Sequence, residues 1–135
     1  MNGRRADVSV AVRWSDQDPN GHVNNAQVVT LIEEARVQWR LDAIAEGGLD
    51  PNFVALVANI NLNYRRPVLF GPELVITVGV HSVGSRSYTL EYVAHQEQRL
   101  VFEASTVMVA MGPDGPRALQ AYENDFLQSW RVSEN

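Results

Sequence analysis

Over residues 7–14 apolar and polar residues alternate, with Val8, Val10, Val12 and Trp14 on one face and Ser9, Ala11 and Arg13 on the other. A period of two predicts a half-buried strand. Residues 15–21 are rich in Asp, Pro, Asn and Gly, which supply turn conformations and side-chain bonds to the backbone, so the strand must end in a loop there. Asn24 or Asn25 can then cap a helix in which Val28, Leu31, Ile32, Ala35 and Trp39 recur at helical spacing and which Gly47-Gly48 stops. Val29, Val37, Leu41 and Ile44 widen its apolar surface well beyond one stripe, which predicts a helix largely wrapped by other structure.

Beyond a Gly, Asp and Pro loop, strands are predicted over 53–66, 73–83, 87–95 and 99–111, separated by turn signals. The short reversals favour antiparallel neighbours. Phe126, Leu127 and Trp130 predict a short terminal helix within 120–131 that needs packing to be stable. One strand, one long helix and a run of antiparallel strands make an α+β chain, a sheet curled around a central helix.

Composition narrows the chemistry. The 135 residues are expected to form one domain, 1–135, and the 45% hydrophobic content can build its core unaided. There is no cysteine, which removes disulfides, thiolate metal sites and cysteine nucleophiles and is compatible with a cytoplasmic location. All 11 basic residues are arginine, so there is no lysine for a Schiff base or a P-loop. The net charge of -5 argues against nucleic-acid binding, and no apolar run is long enough to insert across a bilayer. No signal peptide is evident, and no cofactor or metal is expected.

The loop is where reactive groups gather. Asp16 and Asp18 precede the helix, with Asn20, His22, Asn24 and Asn25 close behind. The first N–H groups of a helix lack internal partners and carry the positive end of its dipole, so they can hold a developing oxyanion. A carboxylate beside them can attack an activated carbonyl or direct water at it. Asp18 is the better placed of the two; His22 can position water or orient the carboxylate, and Asn20 can bond substrate or Asp18. Asp, Asn and Pro before a helix also serve simply as caps and turns.

The segment Asp16-Gln17-Asp18-Pro19-Asn20-Gly21-His22-Val23-Asn24-Asn25 resembles the active-site signature of hotdog-fold thioesterases of the 4-hydroxybenzoyl-CoA thioesterase-like superfamily. Bacterial acyl-CoA thioesterases of that group read Asp-x-Asp, two residues, Gly-His-Val-Asn-Asn. The same loop is similar to the Asp-x-Asn-x-His-Val-Asn-Asn element of plant acyl-ACP thioesterases. The likeness continues through Glu33-Glu34-Ala35-Arg36, residues 60–67 with Gly71, and Val83-Gly84-Ser85-Arg86-Ser87. It implies a hotdog fold, hydrolysis of an acyl-CoA or acyl-ACP thioester, Asp18 as nucleophile or general base, and the Asn25 N–H as oxyanion donor. In the plant-like reading Asn20 and His22 join Asp18 as catalytic residues. The resemblance also implies a homodimer or homotetramer with sites at the subunit interface, where His22 and Arg65 serve a site completed by a neighbour. The chain departs from many bacterial members at Val28, where they carry Tyr.

Other residues carry competing readings. Glu33 is the runner-up carboxylate, against a plain ion pair with Arg36. Asn59, Asn61 and Asn63 should share one sheet face, either lining a substrate cleft or interface or simply facing water, and Asn61 is taken as a substrate contact. By resemblance Arg65, Arg66 and Arg86 are contacts for coenzyme A phosphates, which suit the planar guanidinium fork. His81 and His95 have no neighbours at metal-ligand spacing and read as structural or surface residues. Two rival functions are a hotdog hydratase or dehydratase using His22 with Glu33, and an acyl-thioester binding protein without turnover.

Overall fold

The structure is a computed structural model and describes residues 3–132. Strand β1 (Arg5–Val10) leads through a short 3-10 turn (Trp14–Asp16) and a polar loop into helix α1 (Asn25–Ala45). Four long strands follow, β2 (Ala55–Tyr64), β3 (Leu74–Val83), β4 (Ser87–Gln96) and β5 (Arg99–Gly112), then a two-residue β6 (Gly115–Pro116) and helix α2 (Ala121–Trp130). The main sheet runs β1-β3-β4-β5-β2, with every pairing antiparallel, and β6 pairs with β5.

The expected α+β arrangement is present, and the predicted strands and helices lie within a few residues of the observed ones. The first strand is the exception. It stops at Val10 rather than Trp14, and Trp14 is 73% exposed. The cause is Asp16, whose carboxylate takes the Arg13 N–H at 2.8 Å and bends the chain into the 3-10 turn.

Helix α1 begins where its cap dictates: the Asn24 side chain accepts the Ala26 N–H at 2.8 Å. It ends at Ala45, and the chain turns away at Gly47, whose φ of 81° suits a residue without a Cβ. Val28, Leu31, Ile32, Ala35, Trp39 and Ala43 bury one side of it against the sheet. The opposite side corrects the expectation of a wrapped helix, because Val29, Val37 and Leu41 are 42%, 46% and 52% exposed. The sheet of a single chain covers only one side of α1.

Strands β3, β4 and β5 bury alternate residues, and Tyr92 on β4 bonds Thr106 on β5 through their hydroxyls at 2.8 Å inside the core. Edge strand β2 is different: Leu56, Val57, Ile60 and Tyr64 are all exposed. Helix α2 packs on β3, with Leu127 and Trp130 buried. Buried Glu123 in its first turn meets Arg117 through two contacts of 2.8 Å and accepts the Gln120 N–H at 2.7 Å.

Candidate active site

The polar loop folds by local rules. Asp18-Pro19-Asn20-Gly21 is a reverse turn closed by the Gly21 N–H on the Asp18 carbonyl at 3.0 Å, with Pro second and Gly at φ 79°. The Asp18 side chain reinforces it by accepting the Asn20 N–H at 2.9 Å. A carboxylate has about four acceptor positions, so this bond fixes the orientation of the group and leaves acceptor capacity for a reactant. The Asp18 N–H donates to the His22 carbonyl at 2.9 Å, Gln17 pairs with Val23, and the Val23 N–H holds the Val68 carbonyl at 2.9 Å. That last bond pins the loop to the chain just beyond β2.

Asp16 has a separate task. It is 3% exposed, and its two oxygens take the Arg13 backbone N–H and the Arg13 guanidinium at 2.8–3.2 Å. Burial pushes its pKa upward, but the bonds from the Arg13 side chain and backbone outweigh that and hold the carboxyl below its ordinary value. Its carbonyl accepts the Asn24 N–H at 2.9 Å, which sets the capping residue in place.

A cleft of about 350 Å³ opens at the N-terminus of α1. Asp18, Asn20, His22 and Asn25 line it from the loop side, and Tyr64, Arg65 and Arg66 from the end of β2. The Asn24 side chain takes the Ala26 N–H and its carbonyl takes those of Gln27 and Val28, so these capping bonds leave the Asn25 N–H unused. All four catalytic candidates named from the sequence therefore share one cleft with two of the three arginines.

Arg86 is not brought there. Its carbonyl accepts from Ala110, opposite Ala55, whereas Tyr64 at the cleft lies opposite Phe102. The length of β2, about 30 Å at ~3.3 Å per residue, separates the two ends within one chain. Asn61 also lies outside the cleft lining; it is exposed on β2 and accepts from the Asn63 side chain at 3.1 Å, which puts those two amides on one face as expected. Arg65 engages Glu103 at 2.9 Å and Arg66 the Leu100 carbonyl at 3.3 Å, both partners on β5.

Glu33 forms the plain ion pair with Arg36, at 3.4 Å, and lines a different cavity from His22, so one chain does not join His22 with Glu33. His81 is exposed and lies 3.6 Å from Glu91. No group of three His, Asp or Glu that could hold a metal ion occurs among the described residues, and no described helix is long and apolar enough to cross a membrane.

Sequence reasoning missed Tyr64. Its hydroxyl donates to the Asn25 carbonyl at 2.7 Å and so ties the end of β2 to the first turn of α1, beside the candidate oxyanion donor. Partial burial raises its pKa. The signal in the sequence was an aromatic residue closing a strand just before Arg65-Arg66, which by itself has many other meanings.

The thioesterase-like superfamily profile matches residues 12–128. The chain is 32% identical over 113 residues to the uncharacterized protein YsmA of Bacillus subtilis, spanning 82% of this chain and 75% of that protein. It is 30% identical over 115 residues to the long-chain acyl-CoA thioesterase FadM of Escherichia coli, covering 83% and 87% of the two chains. A thioesterase from Thermus thermophilus, solved with coenzyme A and zinc, superposes with a TM-score of 0.78 at 28% identity over 92% of each chain. The α+β architecture is thus the hotdog fold expected from the loop signature. The chain belongs to the thioesterase-like superfamily.

Proposed function

We propose that the protein hydrolyses acyl-CoA thioesters, with Asp18 as the catalytic carboxylate and the Asn25 N–H as oxyanion donor. The observation that carries this reading is the convergence of Asp18, Asn20, His22 and Asn25 on one cleft at a helix N-terminus, with Arg65 and Arg66 at its other wall. The related long-chain acyl-CoA thioesterase and the coenzyme A bound to the Thermus protein support the choice of carrier. Acyl-ACP has no comparable support here.

A thioester carbonyl directed at the Asn25 N–H gains positive polarisation from that donor and from the helix dipole. As general base, Asp18 takes a proton from water while the water oxygen bonds to the carbonyl carbon. The C–S bond then breaks, and the thiolate leaves and is protonated. As nucleophile, an Asp18 oxygen bonds to that carbon first, expelling the thiolate, and water then hydrolyses the mixed anhydride. His22 and Asn20 orient water or the carboxylate in either route, and Arg65 and Arg66 meet phosphate oxygens of coenzyme A.

The active form is a homodimer or a homotetramer built on the exposed side of β2 and α1. Leu56, Val57 and Ile60 on an open sheet edge, beside exposed Val29, Val37 and Leu41, leave more apolar surface than a chain acting alone would retain. Ile60→Glu is expected to turn the assembly into monomer in sedimentation velocity and to lower turnover; unchanged assembly removes this surface from the interface.

Thiol release from acyl-CoAs by wild type and by folded Asp18→Asn tests the central claim. A fall of at least ~100-fold in the variant is expected, the scale of acid–base and nucleophilic contributions. Unchanged turnover removes Asp18 from the mechanism, and no turnover by wild type on any acyl-CoA sinks the thioesterase reading.

A further inference from the structure

A second cavity, about 490 Å³, lies between the middle of α1 and the start of β2. Its lining includes Arg36, Trp39, Arg40, Phe53, Tyr88 and Met108, with Glu33 at the same cavity. The walls are mostly apolar and aromatic; among the polar side chains Arg36 and Arg40 only donate, Tyr88 can donate or accept, and the one carboxylate, Glu33, is paired with Arg36. The Trp39 indole N–H is buried without an acceptor among the described residues and is sealed off from the cavity itself, so the donors that face the cavity are the two guanidiniums and the Tyr88 hydroxyl. An indole or a guanidinium can only donate.

The two guanidiniums are only partly engaged. Arg36, whose side chain is 15% exposed, uses one nitrogen on Glu33 and also engages the Tyr92 hydroxyl, and Arg40 uses one on the Pro51 and Phe53 carbonyls. Each has other N–H groups left. Burial drives the pKa of Tyr88 well up, so its hydroxyl stays protonated and able to donate, and the charges of Arg36 and Arg40 lie close enough to act against that rise. A purely aliphatic occupant would leave these donors unsatisfied in a dry setting, which is costly. A carboxylate would satisfy several together.

The position relates this cavity to the cleft. Arg36 lies three helical turns beyond Asn25, rotated by only about 20°, so both are on one side of α1 about 16 Å apart along its axis. That is the reach of an extended chain of roughly a dozen carbons with ~1.5 Å bonds in staggered geometry.

We infer that this cavity receives the far end of the acyl group and selects thioesters whose acyl chain ends in a carboxylate, held by Arg36 and Arg40 with the Tyr88 hydroxyl. The inference rests on the proposed thioesterase function for its substrate but not for its binding site. Val54, Leu56 and Val57 at the mouth supply apolar contact for the chain leading in.

The test compares kcat/KM for dodecanedioyl-CoA and dodecanoyl-CoA in wild type, Tyr88→Phe and Arg36→Gln. Wild type is expected to favour the dicarboxylic substrate by at least ~10-fold. Tyr88→Phe, which removes one hydroxyl and keeps the ring, should cut that ratio about fivefold, and Arg36→Gln should abolish it. Equal use of both substrates by wild type, or a ratio unmoved in Tyr88→Phe, overturns the assignment. If neither substrate is hydrolysed the thioesterase reading has failed. The cavity is then judged by calorimetric titration with free dodecanedioate against dodecanoate, where tighter binding of the dicarboxylate, weakened in Tyr88→Phe, sustains the inference and equal or absent binding ends it.

Discussion

Two carboxylates separated by a single residue, Asp16 and Asp18, occupy opposite situations. Asp16 is buried, with both oxygens committed to Arg13, and its backbone carbonyl positions the helix cap. Asp18 sits on the rim of a cleft, with one oxygen fixed by the Asn20 N–H and acceptor capacity left over. The lesson is a division of labour within a short loop. One acid builds the turn that aims the other.

That division predicts a crossover between two isosteric variants. Asp18→Asn should lose activity by the ~100-fold or more given above while its melting temperature stays near wild type, because the Asn side chain can still accept the Asn20 N–H. Asp16→Asn should instead lose about 2 kcal/mol of stability in denaturant unfolding, since it weakens bonds between a buried charge and Arg13. Activity loss without destabilisation in Asp16→Asn would break the comparison.

The pH dependence sharpens it. Asp16 and Glu123 are both held below their ordinary pKa values. For Asp16, burial pushes upward but the Arg13 bonds prevail; for Glu123, the Arg117 hydrogen bonds are the largest influence, opposed by burial and aided by the Gln120 N–H. A depressed folded pKa means that the stabilisation is fully present above the unfolded value and is lost as pH falls through the folded one. Melting temperature should therefore hold near neutrality and decline below about pH 4.5, near the ordinary carboxylate range. The decline should be shallower in Asp16→Asn, and an equal slope in both proteins would show that Asp16 contributes nothing to it.

The smallest expected effect separates the arginines. Arg65→Ala should raise KM for acyl-CoA severalfold, since Arg65 lines the cleft, whereas Arg86→Ala should alter KM less than twofold if each site is served by one chain. A large effect at Arg86 would mean that a second chain brings it to the cleft.

Much of the loop was legible in the sequence because its determinants are local. Asp18-Pro19-Asn20-Gly21 is a turn by residue type, and a cap at Asn24 or Asn25 was readable, of which the structure uses Asn24 through a bond to a neighbour two residues on. The four long strands after α1 followed from alternation and turn residues. The early end of β1 did not, because Val12 and Trp14 continue the alternation past the point where Asp16 and Arg13 bend the chain. Nor was the exposed side of α1 legible: an apolar surface shows what wants burial but not whether this chain or another supplies it.

The sequence by itself therefore determined the turn, a cap at one of the two adjacent asparagines, the order of elements and the group of residues at the start of α1, since each depends on bonds reaching only a few residues. Tertiary structure alone decided that Arg65 and not Arg86 joins Asp18, that Tyr64 ties β2 to Asn25, and that Arg36, Trp39 and Tyr88 meet around one cavity. Such neighbours are fixed by strand register and by the packing of α1 on the sheet, and no local spacing encodes which distant residue will lie opposite.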